Sequence, residues 1–133
     1  MIALDQCTLA WLRDAMDVPV GLYEFPGDQD CAAFSPSPIH EMLGAYKAGG
    51  GTYAYTYEVH LRVRPKDAAD RAAAVQALHA VCSGIAAREF PLQPAGCVWL
   101  GHEVTQRPTL FEVYDDGLET YRIVARITYI ELS

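Results

Sequence analysis

Apolar and polar residues alternate along residues 53–64 of the chain. The odd positions are Tyr53, Tyr55, Tyr57, Val59, Leu61 and Val63, and the even positions are Ala54, Thr56, Glu58, His60, Arg62 and Arg64. A period of two that continues over this length predicts a β-strand with one apolar face and one polar face. The preceding letters, KAGGG, end in consecutive glycines, at which the backbone can adopt positive φ, and they predict a reversal of the chain.

The segment before the glycines, SPIHEMLGAYK, is compatible with two structures. Ser37 as N-cap, Pro38 in the first turn and Gly49 beyond the end would define a short helix. Residues 41–46 could instead form a strand that pairs back on the long one. The local signals favour neither structure.

Two helices are predicted elsewhere in the chain. Residues 5–16 form the first, with Asp5 placed to cap its first turn. Its apolar residues, which partly follow helical spacing, are Ile2, Leu4, Leu9, Trp11, Leu12 and Met16. The second spans residues 67–88, begins at the capping residue Asp67, and is rich in alanine. Its apolar stripe consists of Val75, Leu78, Cys82 and Ile85.

The remaining segments predict further strands. Residues 19–25 form a strand that ends at Pro26 and Gly27, and the proline-containing PGDQDCAAFSPSP that follows predicts a loop, with at most a short edge pairing at 32–34. Residues 96–104 form another strand, and residues 109–132 form two strands joined at Asp115-Asp116-Gly117. The prediction is one α+β domain, residues 1–133, in which a mainly antiparallel sheet with a long hairpin packs against two helices.

Composition limits the possible functions. With 133 residues, of which 51% are apolar, the chain can bury one core. A net charge of -7 repels polyanions and argues against nonspecific DNA binding. The sequence contains neither a signal peptide pattern nor an apolar run long enough for a membrane span, so we expect a soluble protein that is not secreted and has no membrane partner.

No catalytic, metal-binding or cofactor-binding constellation is evident. The four histidines, His40, His60, His79 and His102, lie on different elements and lack ligand spacing such as HxxxH or CxxC. The four cysteines, Cys7, Cys31, Cys82 and Cys97, show no paired spacing, so we expect reduced thiols that folding does not require. We therefore expect no enzymatic activity, cofactor or stoichiometric metal.

Charged and aromatic residues near the long strand suggest a contact surface. The cations Arg62, Arg64, Lys66 and Arg71 could contact phosphates, but nearby Glu58, Asp67 and Asp70 favour a mixed-charge surface that faces solvent or another subunit. Tyr46 and Tyr53 flank the glycine turn, and tyrosine is common both in strand cores and at interfaces. The predicted interface residues are Tyr46, Lys47, Gly49, Gly50, Gly51, Tyr53, Arg62 and Arg64.

Three short patterns occur in a characteristic order. They are Y-x-x-G from Tyr46 to Gly49, the alternating strand YTYEVHLRVR, and G-x-x-x-Y-x-I from Gly117 to Ile123. Together with the helix between them and the closing hairpin, they give residues 34–133 a resemblance to the tail terminator and minor capsid proteins of long-tailed bacteriophages. In that family the element before the glycine turn is a strand, which favours a hairpin of residues 41–64.

The resemblance implies a structural virion protein without catalysis. Tail terminators assemble as a hexameric ring on the last ring of the tail tube, stop tube polymerisation and present a surface to the head connector, and the resemblance implies the same role here. The implied partners are further copies of the chain, the tail tube protein and the head–tail connector protein, with DNA passing through the ring unbound. The implied location is the tail or neck of a virion assembled in the host cytoplasm. The alternatives are another neck component, such as a head-closure protein, and a small enzyme or ligand-binding domain.

Overall fold

The computed structural model describes residues 2–132, and the side chain of Ile2, which the pattern assigned to the first helix, lies outside the described residues. Two helices and six strands follow one another along the chain. They are α1 (Ile2–Ala15), β1 (Val20–Leu22), β2 (Cys31–Pro36), β3 (Glu41–Ala45), β4 (Gly51–Val63), α2 (Ala68–Ala86), β5 (Cys97–Val113) and β6 (Glu119–Glu131). The predicted α+β class, with a mainly antiparallel sheet packed against two helices, is confirmed.

The sheet is organised around β4. Along one side of β4 lie two strands end to end, with β2 beside residues 57–62 and β3 beside residues 51–54. Along its other side, β6 pairs over the whole length, from Gly51 opposite Glu131 to Val63 opposite Glu119. β5 lies outside β6, and β1 lies outside β2 in the one parallel pairing among the described strands.

The alternating strand is confirmed, and its apolar face forms the centre of the core. The odd residues from Tyr55 to Val63 are at most 1% exposed, and the odd residues of β6 from Glu119 to Tyr129 are buried beside them. Leu4 and Leu12 from α1 and Leu78 from α2 pack over this face. Each fully buried side chain of this size stabilises the fold by roughly 1.5–3 kcal/mol, so this face of the sheet supplies much of the stability.

The segment before the glycines is the strand β3, so the hairpin interpretation is confirmed and the helix is not. Gly49 and Gly50 adopt φ values of 97° and 78°, which side chains other than glycine rarely tolerate. Gly51 is required for a different reason, because a Cβ atom there would lie 2.6 Å from the carbonyl oxygen of Gly44. The three glycines therefore reverse the chain and let the two strands approach each other.

The prediction that residues 26–38 form a loop is wrong for Cys31–Pro36, which form the strand β2. This strand lies inside the sheet between β1 and β4, and residues 31–34 are buried, so it is not a short edge pairing. The prolines that suggested a loop are Pro26, Pro36 and Pro38, which lie outside the strand or at its last residue. Residues 31–35 contain no proline, so their backbone N–H groups are free to pair with neighbouring strands.

The two strands predicted at 96–104 and before Asp115 are one strand, β5. Its pairing with β6 shifts register several times, including around Gln106 and Thr109, and it contains Pro108. A proline is tolerated here because β5 pairs with one neighbour only, so the missing N–H can point away from the ladder. β1 is shorter than predicted, since Tyr23 has a φ of 62° and turns the chain.

The two predicted helices are confirmed, but of the two predicted capping residues only Asp67 caps its helix. Asp67 caps α2 as predicted, and its carboxylate accepts a hydrogen bond from the Asp70 amide at 2.7 Å. Asp5 lies inside α1, which begins by Ile2, and its carboxylate accepts a hydrogen bond from the Tyr55 hydroxyl at 2.6 Å. Asp5 therefore ties α1 to the sheet instead of capping the helix.

Candidate functional site

Among residues 2–132, three strands pair with one neighbour only: β1, β3 and β5. β1 has three residues, two of them buried, so the longer β3 and β5 offer the accessible edges. Such free edges expose rows of backbone N–H and C=O groups that can pair with another chain. The β3 edge and the β5 edge, as we call these two surfaces, are therefore the candidate assembly sites.

The β3 edge is short and apolar. All five residues of β3 are exposed, and Met42 and Leu43 are 58% and 51% exposed. Ile39, just before the strand, is 78% exposed. Large apolar side chains gathered on one exposed edge are typical of protein contact sites.

The β5 edge is long and also carries exposed apolar side chains. Leu100 and Leu110 are about half exposed, and Val113 is 62% exposed. Phe111 lies on the other face, where its ring contacts His60 and the Arg122 guanidinium. Sequence reasoning did not identify this edge, although the consecutive apolar residues Leu110 and Phe111 were a signal that both faces of β5 carry apolar side chains.

The turn of the β3–β4 hairpin is exposed, and its predicted contact residues divide into two groups. Tyr46 is about half exposed, with its hydroxyl 2.8 Å from that of Thr52, and Lys47 is exposed beside it. Tyr53 is half-buried, and its ring stacks on buried Tyr129 with centroids 5.6 Å apart. Tyr46 and Lys47 are therefore available to a partner, whereas Tyr53 also belongs to the packed interior.

Arg62 and Arg64 do not lie beside the hairpin turn. Arg62 donates to the carbonyl oxygen of Gly27, and its guanidinium lies 4.7 Å from the ring centroid of Phe25. Arg64 pairs with Asp116 in the β5–β6 turn. Both arginines sit near the end of the sheet remote from Gly51, and each fastens a loop of its own chain.

Arg71 also has a partner within the chain. Its guanidinium donates two hydrogen bonds of 2.8 Å to the carboxylate of Glu119, which also accepts one from the Tyr121 hydroxyl at 2.7 Å. Because Arg62, Arg64 and Arg71 all bind groups of their own chain, these three arginines do not form the open basic surface that phosphate binding needs. This geometry favours the mixed-charge interpretation of the segment.

The Arg71–Glu119 pair predicts an acid-sensitive contribution to stability. The hydrogen bonds from Arg71 and Tyr121 lower the pKa of Glu119 to about 2, against an ordinary value of 4.5. Because the folded pKa is lowered, the contribution of ionised Glu119 is present above pH 4.5 and is lost as the pH falls toward about 2. We expect E119Q to unfold at lower urea concentration than the parent at pH 7, with the difference shrinking from pH 4.5 downwards. A difference that stays constant across this range would contradict the assignment.

Two histidines take part in partly buried hydrogen bonds that sequence reasoning did not identify. His40 Nδ1 lies 2.5 Å from the Tyr129 hydroxyl, and His102 Nε2 lies 2.7 Å from the Tyr57 hydroxyl. Burial lowers the pKa of both imidazoles, which keeps them neutral at neutral pH. Each histidine gives the hydroxyl of a buried tyrosine a hydrogen-bond partner. Within residues 2–132, no group of three or more His, Cys, Asp or Glu residues is placed to hold a metal ion.

A groove of about 770 Å³ separates α2 from β5. Its lining includes Cys82, His79 and His102, the residue types of a nucleophilic pair. Burial raises the pKa of the Cys82 thiol, which disfavours the reactive thiolate, and His102 is already occupied by Tyr57 and the carbonyl oxygen of Glu89. The groove is better suited to receiving apolar side chains than to catalysis.

The four cysteines are unpaired, which leads to a labelling prediction. Cys31 and Cys97 are buried, whereas Cys7 and Cys82 are partly exposed. Titration of the denatured protein without reductant should find four thiols, and a maleimide should label Cys7 and Cys82 of the folded protein before the other two. Mass spectrometry of the labelled peptides measures the order. Absence of free thiols, or equal labelling of all four, would contradict this arrangement.

No helix among residues 2–132 has the length and apolar character to cross a membrane.

The comparisons with known proteins concern the fold. No protein-family model and no curated protein matches the chain. Among solved structures, the chain is similar to one in the virion of a native gene transfer agent (GTA) particle, with a TM-score of 0.50 and 17% sequence identity. The match covers 96% of this chain and 91% of that chain, so the two share a fold over nearly their whole lengths.

Proposed function

We propose that this chain is a structural protein of a phage-like virion, the tail terminator, which caps the tail tube as a hexameric ring. In this role the ring stops tube polymerisation and forms the joining surface to the head connector protein. The observation that carries the proposal is the shared fold with a chain of the GTA virion across nearly all of both chains. The order of motifs from Tyr46 to Ile123 supports the same class independently.

The two candidate assembly edges support a ring. The β3 edge and the β5 edge differ in sequence and lie on opposite sides of the β4–β6 pair. A contact between two different surfaces of one protein is head-to-tail, and repetition of such a contact produces either a closed ring or an open filament. A terminator requires the closed form, because a capped tube must stop growing.

The distribution of charge supports DNA passage without binding. The polar face of the sheet carries arginines whose partners belong to the same chain: Arg122 contacts Glu58 and Gln106, and Arg126 pairs with Glu103. Cations that are already paired release few counterions from DNA and bind it weakly. The net charge of -7 adds a general repulsion.

The β3–β4 hairpin turn is the proposed contact to a neighbouring subunit or to the tail tube protein. Tyr46 and Lys47 would make the contact, and Gly49, Gly50 and Gly51 would shape the turn that presents them. Tyr53 would hold the base of the turn to the core through its stack on Tyr129. Arg62 and Arg64, at the far end of the sheet, would act only through the loops of their own chain that they fasten.

Tube polymerisation in vitro tests the proposal. The tail tube protein of the same particle should polymerise to tubes of uncontrolled length, and addition of this chain should stop growth at substoichiometric amounts. A head-closure protein would instead bind the connector without affecting tube length. An unchanged length distribution at saturating concentration would therefore reject the terminator and leave a neck role open.

A further inference from the structure

We infer that the β5 edge, with the groove between β5 and α2, receives the β3 edge of the next copy of this chain. The copies would associate head to tail, with the sheet of one continued by the sheet of the next. This inference rests on the proposed ring and adds which two surfaces meet. It is argued from three observations: strand geometry, the faces on which apolar side chains lie, and charge.

The β3 edge supplies a strand that can pair with a strand of another copy. β3 pairs with β4 only, so the backbone groups on its outer side have no partner strand among the described residues. Met42 lies opposite Tyr53, whose ring stacks on core residue Tyr129, and paired residues project to the same face of a sheet. The exposed side chain of Met42 therefore lies on the face that carries the helices.

The β5 edge offers a complementary recess on the same face. The groove lies on the helix side of the sheet because α2 forms one of its walls, and its apolar lining includes Ile85, Val104 and Pro108. Leu110 pairs with Tyr121 and so also lies on the helix side. When two sheets are joined edge to edge, their helix faces become continuous, which brings Met42 of one copy level with the groove of the next.

Unpaired charges on the two edges are of opposite sign. Arg88 and Arg107 line the groove, and neither forms an ion pair within residues 2–132. On the β3 edge, Glu41 is exposed and equally without an ion pair in the described chain. Opposite charges favour unlike edges, whereas pairing of two β5 edges would bring like charges together. The complementarity therefore selects a head-to-tail contact between copies.

A mixing experiment with two edge variants tests this contact. M42K/L43K places charges on the β3 edge, and L100K/L110K places charges on the β5 edge, a change that opposes edge pairing. L92K is the matched control, since Leu92 is 83% exposed and lies outside every strand. Thermal unfolding first verifies that each variant folds, and sedimentation then measures association of each protein alone and of the two edge variants mixed.

Each outcome decides the inference. We expect the parent and L92K to form closed oligomers. Each edge variant alone should associate with an affinity at least roughly tenfold lower than that of the parent. The mixture should form one-to-one dimers and stop there, because it retains one intact β3 edge and one intact β5 edge. Dimers of either variant alone, association like that of the parent, or a parent that stays monomeric would overturn the inference. The tube-length assay tests the terminator role separately, so the edge contact and the terminator role can fail independently.

Discussion

Replacement of Tyr57 by alanine should remove about 3–5 kcal/mol of stability, as expected for loss of a large buried aromatic side chain. Tyr57 is fully buried in the centre of β4, its ring packs edge-on against Phe34 with centroids 5.5 Å apart, and its hydroxyl contacts His102. Small domains are stable by only about 5–15 kcal/mol. The variant should therefore be barely folded at 25 °C, as measured by urea unfolding.

Y57F separates the packing contribution from the hydrogen bond. Phenylalanine keeps the ring but leaves His102 Nε2 without its partner at 2.7 Å, which should cost about 1–3 kcal/mol. The order of stability should be parent, then Y57F, then Y57A. Equal stability of Y57A and the parent would show that β4 does not form the core described.

Replacement of Tyr46 by serine should abolish ring formation and tube capping while leaving the melting temperature nearly unchanged. Tyr46 is about half exposed, and its side-chain hydrogen bond is to Thr52 at the start of β4, near the surface, so the fold loses little. A half-exposed aromatic at a protein contact can carry more than 2 kcal/mol of binding free energy. Sedimentation and the tube-length assay measure the loss.

Y114S is the matched control for Y46S. Tyr114 is 43% exposed and lies in the β5–β6 turn at the opposite end of the sheet. Assembly of Y114S should equal that of the parent if the β3–β4 turn makes the contact. A Y46S protein that forms rings and caps tubes normally would exclude this turn from the interface. Y53S is a poor substitute, because loss of its stack on Tyr129 would also destabilise the fold.

The fold was predictable where one local signal dominated. Residues 53–64 follow a single period of two, and Asp67 starts α2 with an unambiguous cap, so both elements lie where the pattern places them. β3 was ambiguous because Ser37 and Pro38 also suit a helix start, and the resemblance to a known family resolved it. β2 was predicted only as a short edge pairing because the prolines around it obscured residues 31–34, which are buried by tertiary contacts.

The candidate site was less predictable, because it depends on the arrangement of strands. The exposure of β5 follows from its place at the edge of the sheet, and no local pattern reveals that place. The partners of His40 and Arg64 are 89 and 52 residues away in the sequence, beyond the reach of motif reasoning. Tyr46 and Lys47 were found because the glycine turn marks them directly.

Electron microscopy of particles from the host that encodes this chain tests the central claim most directly. A map at a resolution sufficient to fit the fold should place six copies in one closed ring at the head-proximal end of the tail tube. Density for the chain at any other position in the particle, or particles that lack it altogether, would contradict the terminator role.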